Sequence, residues 1–254
     1  MVLSPQYGLN FLLVLVRVAT IFVVVPIFST QNIPPMAKLG LSALIAFMLV
    51  PAEPGALARV PEKTAPFFLL IAQEALTGIL IGLAAMLIFA AIQIAAGLAG
   101  LQIGFRAANL VDPFLPGMKS SLDQLYGWFA ALIFFAVNGH HSLIVGIART
   151  FAVVPVGALH LDPTLYGRIL ALLATAFEAA VRVSVPLIGS ILLADVALAL
   201  IARTVPQVNV FFVGLPLKMG LGIGMLIVTM PITMSWMGRL LSQMGQNLVL
   251  VFTH

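Results

Sequence analysis

Eight ionisable side chains stand inside stretches that are otherwise apolar: Arg17, Glu74, Arg149, Glu178, Arg182, Asp195, Arg203 and Lys218. A charge at the centre of a membrane-crossing helix costs at least ~2.5–3.5 kcal/mol, so each needs a partner or a task. Glu178 and Arg182 are four residues apart with the acid first, the favourable order for an ion pair on one helix. Two kinds of chemistry fit the set. One is a proton or ion relay through Glu178 and Asp195. The other is structural: buried pairs, with Arg17, Glu74, Glu178, Arg182, Asp195 and Arg203 as members, that fix helix register or contact neighbouring subunits. The second is preferred, because structural ion pairs populate cores as well as functional sites. His140 and His141 make a poor chelate, since adjacent residues on a helix point about 100° apart, and no acidic or histidine partner follows at metalloprotease spacing. The chain has no cysteine, which excludes thiol chemistry and disulfides. The glycines of Gly220–Gly224 lie in an apolar run and read as packing residues, not a phosphate loop. No catalytic site, metal or cofactor is expected.

A second kind of work is indicated at Gly100–Gly117, GLQIGFRAANLVDPFLPG. Arg106, Asn109 and Asp112 alternate with Phe105, Leu110, Val111, Phe114 and Leu115. Pro113 and Pro116 forbid a regular helix to its end, and Gly100, Gly104 and Gly117 loosen the backbone. Irregular backbone at membrane depth survives only where protein covers it or water borders it. An amphipathic insert of this kind is a candidate moving part.

The elements that must hold these residues are long and apolar. Of 254 residues 62% are hydrophobic and 8% charged, and mean hydropathy is +1.17; a soluble domain is about half apolar and a quarter charged. The expected class is an all-α membrane protein of long kinked helices and helical hairpins. The net charge of +4 is scattered, without the basic cluster a nucleic-acid surface needs. No basic residue precedes the first apolar run, which contains Arg17, so it reads as a retained helix and not a cleaved leader.

In chain order, Tyr7–Phe28 is a first span. Ala37–Val50 falls short of the ~20 residues of a full span; it suits a half-span, an interfacial helix or one arm of a re-entrant hairpin. Pro51–Pro66 is a polar loop. Phe67–Phe105 runs without proline for nearly twice a bilayer's thickness, and Gly78 with Gly82 forms a small-residue pair suited to close packing within the chain. Leu122–Val154 is interrupted by Asn138-Gly139-His140-His141, where a turn is expected. Asp162-Pro163 suits a helix start. Thr164–Arg203, with Pro186, and Val208–Phe252, with Pro216 and Pro231, flank the connector Val205–Asn209 and read as an antiparallel hairpin, kinked at its prolines. The methionines along the last run fill packing gaps. Loop cations are balanced by acids, so the positive-inside rule assigns no orientation. Such runs are candidates for burial against other protein as well as lipid.

Four segments in order carry a family resemblance: Pro26-Ile27-Phe28 with Ile33-Pro34 and Lys38–Leu41; Gly100–Gly104 with Leu110–Pro113; Asn138-Gly139-His140; and Phe211–Pro216. Together they resemble the FliR family of the flagellar type III secretion export gate, over nearly the whole length. Injectisome relatives share that fold, and the wording Leu101–Gly104 with Leu110–Pro113 favours the flagellar branch. The resemblance implies a FliP-like part, residues 1–163, followed by a FliQ-like hairpin, residues 164–254. It implies assembly with FliP and FliQ into a closed helical pore, with FlhB packed against it and FlhA adjacent, in the bacterial inner membrane at the flagellar basal body, and with much of the gate on the periplasmic side. It implies that the central loop plugs the pore, with Phe105, Leu110, Val111, Phe114 and Leu115 as plug residues and Gly100, Gly104, Pro113, Pro116 and Gly117 as hinges. The chain departs from the family pattern at Arg106 and Ala107, where more aromatic bulk is expected. The implied function is a non-enzymatic subunit that forms and seals a channel for unfolded flagellar proteins. The alternative is a secondary transporter with a Glu178–Asp195 relay, although no internal repeat is visible. An intramembrane enzyme using His140 and His141 is the third.

Overall fold

In a computed structural model, residues 5–29, 33–52, 64–105, 120–160, 163–205, 207 and 209–252 are described. Among them the chain is helical and forms no strand. The helices are α1 (Pro5–Val24), α2 (Pro26–Ser29), α3 (Pro35–Ala52), α4 (Thr64–Ile103), α5 (Ser121–Ala136), α6 (Gly139–Val153), α7 (Pro163–Thr204), α8 (Val210–Ser242) and α9 (Met244–Leu250). The fold class is that expected of the composition, an all-α membrane protein. Among the described residues four helices are long and apolar enough to cross a bilayer, and α5 with α6 forms a fifth, broken candidate bent by 71°.

Local chemistry explains the breaks. The first run stops at Val24 because Pro26 cannot donate to a continuing helix; α2 is one further turn. The bend between α5 and α6 falls at Asn138, whose φ of 55° is left-handed, a conformation asparagine tolerates better than most residues. The turn expected at Asn138–His141 is therefore present. Pro163 opens α7, where the missing donor costs nothing. The last apolar run is not continuous: it breaks at Gln243 before the short α9, and no proline or glycine at that residue announced it.

Two compact units divide the chain. One comprises residues 1–89, 135–173 and 241–254; the other, residues 90–134 and 174–240. In the first, α1 packs on α3 and on the N-terminal half of α4. The Gly78–Gly82 pair makes that crossing possible. A Cβ on Gly78 would lie 2.6 Å from the Arg17 carbonyl oxygen, and one on Gly82 the same distance from Val24 Cβ. Those small residues thus serve packing within the chain. The core of this unit includes Leu13, Ile21, Phe22, Ile81, Leu143 and Phe151.

In the second unit, the C-terminal part of α4 meets α5, α7 and α8. Ala91, Ala95 and Ala180 form a close cluster under Trp236 and Leu240, and Ser184 Oγ donates to the Ala95 carbonyl at 3.3 Å. Beside the connector, Asp195 pairs with Lys218 and Leu198 lies against Gly214. Successive positions along α7 and α8 therefore meet on moving away from the connector, as an antiparallel hairpin requires.

Candidate functional site

The expected moving part is rooted in the second unit. Helix α4 continues through Gly100 and ends at Ile103, so Gly100 belongs to the helix and Gly104 is the first residue past its end. Gly100 is buried inside the helix, and a Cβ there would lie 3.2 Å from Ser120 Oγ. Gly104 has φ +94°, and a Cβ on it would meet Leu215 Cδ1 at 2.7 Å. The positive φ favours glycine, and Leu215 would have to shift to admit a side chain. One residue earlier, Ile103 fills the space left by Gly222 on α8.

Phe105 reaches a cavity of about 260 Å³ that Leu122, Tyr126, Ile223, Leu226 and Met230 also line. Tyr126 hydrogen-bonds Thr233, which gives its buried hydroxyl a partner. The far end of the segment is fixed by a reciprocal cap on α5. The Ser120 N–H donates to Asp123 Oδ2 at 2.9 Å, and the Asp123 N–H donates to Ser120 Oγ at 3.2 Å. This is the capping-box arrangement with an aspartate as the reaching residue. The pattern Ser120-Ser121-Leu122-Asp123 is a signal for it in the sequence. Leu110, Val111, Pro113, Phe114, Leu115, Pro116 and Gly117, with Arg106 and Asp112, lie outside the described residues.

The charged residues separate into two groups. Arg17 and Glu74 are fully buried and meet in a two-pronged ion pair, Nε to Oε2 at 2.6 Å and Nη2 to Oε1 at 2.9 Å. Burial expected of the others is not seen within the chain. Glu178 and Arg182 pair at 2.6 Å but expose 65% and 78% of their side chains, and Arg203 is exposed. Asp195 is half-buried against Lys218. The reason is that α7 and α8 leave most of their own surface bare: 17% and 11% of their most apolar windows are buried. An apolar run locates a surface that avoids water, and whether the same chain covers it depends on packing.

His140 leans on Phe135 with ring centroids 5.7 Å apart, and its Nδ1 is buried at the bend. Among the described residues no cluster of three or more histidine or acidic side chains is arranged to hold a metal. The residues that sequence reasoning missed are those that meet Arg17 and Glu74 from a distance in the chain: Phe151, the turn at residues 154–157, and Gln73 beside them. Backbone atoms carry most of these contacts, and side-chain types do not announce them.

The chain matches the model of bacterial export proteins, family 1, over residues 9–244. It is 36% identical to the flagellar biosynthetic protein FliR of Bacillus subtilis strain 168 over 231 residues, covering 87% of this chain and 86% of that protein. It is 31% identical to the FliR of Escherichia coli K12, covering 90% and 87%, and 31% identical to that of Aquifex aeolicus, covering 92% and 91%.

Proposed function

The chain belongs to the bacterial export proteins, family 1, and from that premise we propose that it is the FliR-type subunit of a flagellar protein export gate. It is embedded in the bacterial inner membrane at the flagellar basal body, with much of the gate on the periplasmic side. Residues 1–163 form its FliP-like part and residues 164–254 its FliQ-like hairpin. Its partners are FliP, FliQ, FlhB and FlhA, and its cargo is unfolded flagellar protein. Its own part is structural and not enzymatic: it shapes and seals a passage.

The observation that carries this reading is the bareness of α7 and α8. A helix of 42 residues is roughly 60 Å long, about twice the ~30 Å hydrocarbon core. Leu192, Leu193, Leu200, Phe212, Ile227 and Ile232 all lie more than half exposed on this hairpin. Lipid can cover one bilayer's length of that surface. The remainder needs apolar protein, which is what neighbouring subunits supply. Co-purification of the tagged chain with FliP and FliQ tests this, and a stable, export-competent monomer would overturn it.

The segment from Phe105 to Leu115 is the proposed plug. Apolar side chains in a narrow pore exclude water and ions by dewetting, and Gly104, with its left-handed backbone, is the proposed hinge at its root. A chain lacking Phe105–Leu115 assembles but leaks ions; an unchanged membrane conductance would sink the plug. The transporter reading finds no support. Glu178 and Asp195 lie on one helix, roughly 25 Å apart at 1.5 Å per residue, and each already has a cation beside it.

A further inference from the structure

Helix α6 ends at Val153, and the chain then turns through Val154, Pro155, Val156 and Gly157. Carbonyls just past a helix end have no helical partner and need donors from elsewhere; Pro155 supplies no donor of its own. Arg17 meets that need. Its Nη1 donates to the Val154 carbonyl at 2.7 Å and its Nη2 to the Pro155 carbonyl at 3.4 Å. Its guanidinium carbon lies 4.2 Å from the centre of the Phe151 ring. Glu74 takes the opposite pole of the same turn: the Gly157 N–H donates to Oε1 at 2.8 Å. Gly157 has φ +75°, and a Cβ on it would meet Leu70 Cδ2 at 2.7 Å. Immediately before Glu74 on α4, Gln73 Nε2 donates to the Leu159 carbonyl at 2.9 Å.

The pair is thus more than a neutralised charge. Cation and carboxylate together face a strip of backbone, two carbonyls on the arginine and one N–H on the glutamate. The two charges satisfy each other through two bonds and spend their remaining capacity on the turn. We infer that Arg17 and Glu74 are positioning residues that recognise the 154–157 turn as a ligand, and so fix the direction in which the chain leaves α6 for α7. Their role in export, which rests on the proposed function, is to hold the turn that leads from α6 towards α7.

A buried pair that only filled space would be replaceable by apolar side chains of similar volume, usually without loss of the fold. The double variant Arg17→Met with Glu74→Leu therefore separates packing from positioning. The chain has no native cysteine, so Val156→Cys, at a residue 5% exposed, reports the turn alone. In membranes from cells making the full-length chain with its partners, a water-soluble maleimide should label Val156→Cys at least about tenfold faster in the double variant. That is the factor implied by losing the turn's three hydrogen bonds. Arg17→Lys keeps the charge but not the planar fork, should label faster too, and carries the test if the double variant does not accumulate. Without the reporter cysteine, the double variant should accumulate and export poorly. Labelling within twofold of the parent in whichever variant accumulates would overturn the recognition of the turn. Fast labelling with parental export would overturn its role in export. The labelling result does not depend on the flagellar assignment, so the two failures are distinguishable.

Discussion

Gly146 on α6 and Gly245 on α9 touch backbone to backbone: a Cβ on Gly146 would stand 2.6 Å from the Gly245 Cα, and one on Gly245 would stand 2.2 Å from the Ser142 carbonyl oxygen. Ser142 completes the crossing by donating to the Ser242 carbonyl at 3.0 Å and accepting from the Gly245 N–H at 3.2 Å. Close crossings of small residues, reinforced by hydroxyl bonds, are how membrane helices associate without a hydrophobic drive between them.

Alanine at either glycine forces two backbones apart. Overpacking of this kind costs about 1–3 kcal/mol, and Gly245→Ala should lie at the upper end because its Cβ would press the more closely on the facing backbone. Thermal unfolding of the purified chain or complex in detergent measures it. Gly127→Ala is the control: nothing lies within 4 Å of its Cβ, so it should leave stability unchanged or improve it by about 0.4–1 kcal/mol.

The two acid–base pairs should respond very differently to loss of one partner. Glu74→Ala leaves Arg17 buried and uncompensated, a loss of about 3–5 kcal/mol, read as loss of the chain from membranes. Glu178→Ala removes an exposed pair on one helix, worth about 0.3–0.5 kcal/mol, and the chain should accumulate normally. If Glu178→Ala accumulates but no longer co-purifies with its partners, the exposed pair is a subunit contact.

Gly104→Ala tests the root of the proposed plug. Its left-handed backbone and its contact with Leu215 both resist a side chain, and such strain costs about 1–3 kcal/mol. The strain falls at the end of α4, at the root of the proposed plug, so ion leakage through the membrane should change while assembly persists. A tight membrane with parental export would show that the root is not under conformational demand.

Asp195 and Lys218 join the hairpin arms beside the connector. Asp195→Asn should weaken export, and the exchange Asp195→Lys with Lys218→Asp should recover most of it, because an interhelical pair works with either polarity. A proton relay through Asp195 predicts the reverse: the exchange would stay as inactive as the single change. Motility of cells carrying each chain decides between them.

How much of this was legible follows from what residue order can encode. The membrane class, the long α4, the break at Asn138–Gly139, the start at Pro163 and the α7–α8 hairpin are properties of local composition: apolar length, proline's missing donor, and residues that accept unusual backbone angles. The four short segments that resemble the FliR family are likewise a matter of order alone, and the family match extends them over residues 9–244. That Arg17 and Glu74 would meet, 57 residues apart, was open in the sequence, since every buried charge needs a partner and eight candidates were available. Only the packing of α1 on α4 chose the pair. The turn at 154–157 was invisible because its contacts are made by carbonyls and an N–H that every residue carries. The exposure of Glu178, Arg182 and Arg203 was decided in the same way. Hydrophobic sequence states that a surface must avoid water, and tertiary structure alone decides whether the same chain, lipid or another subunit covers it.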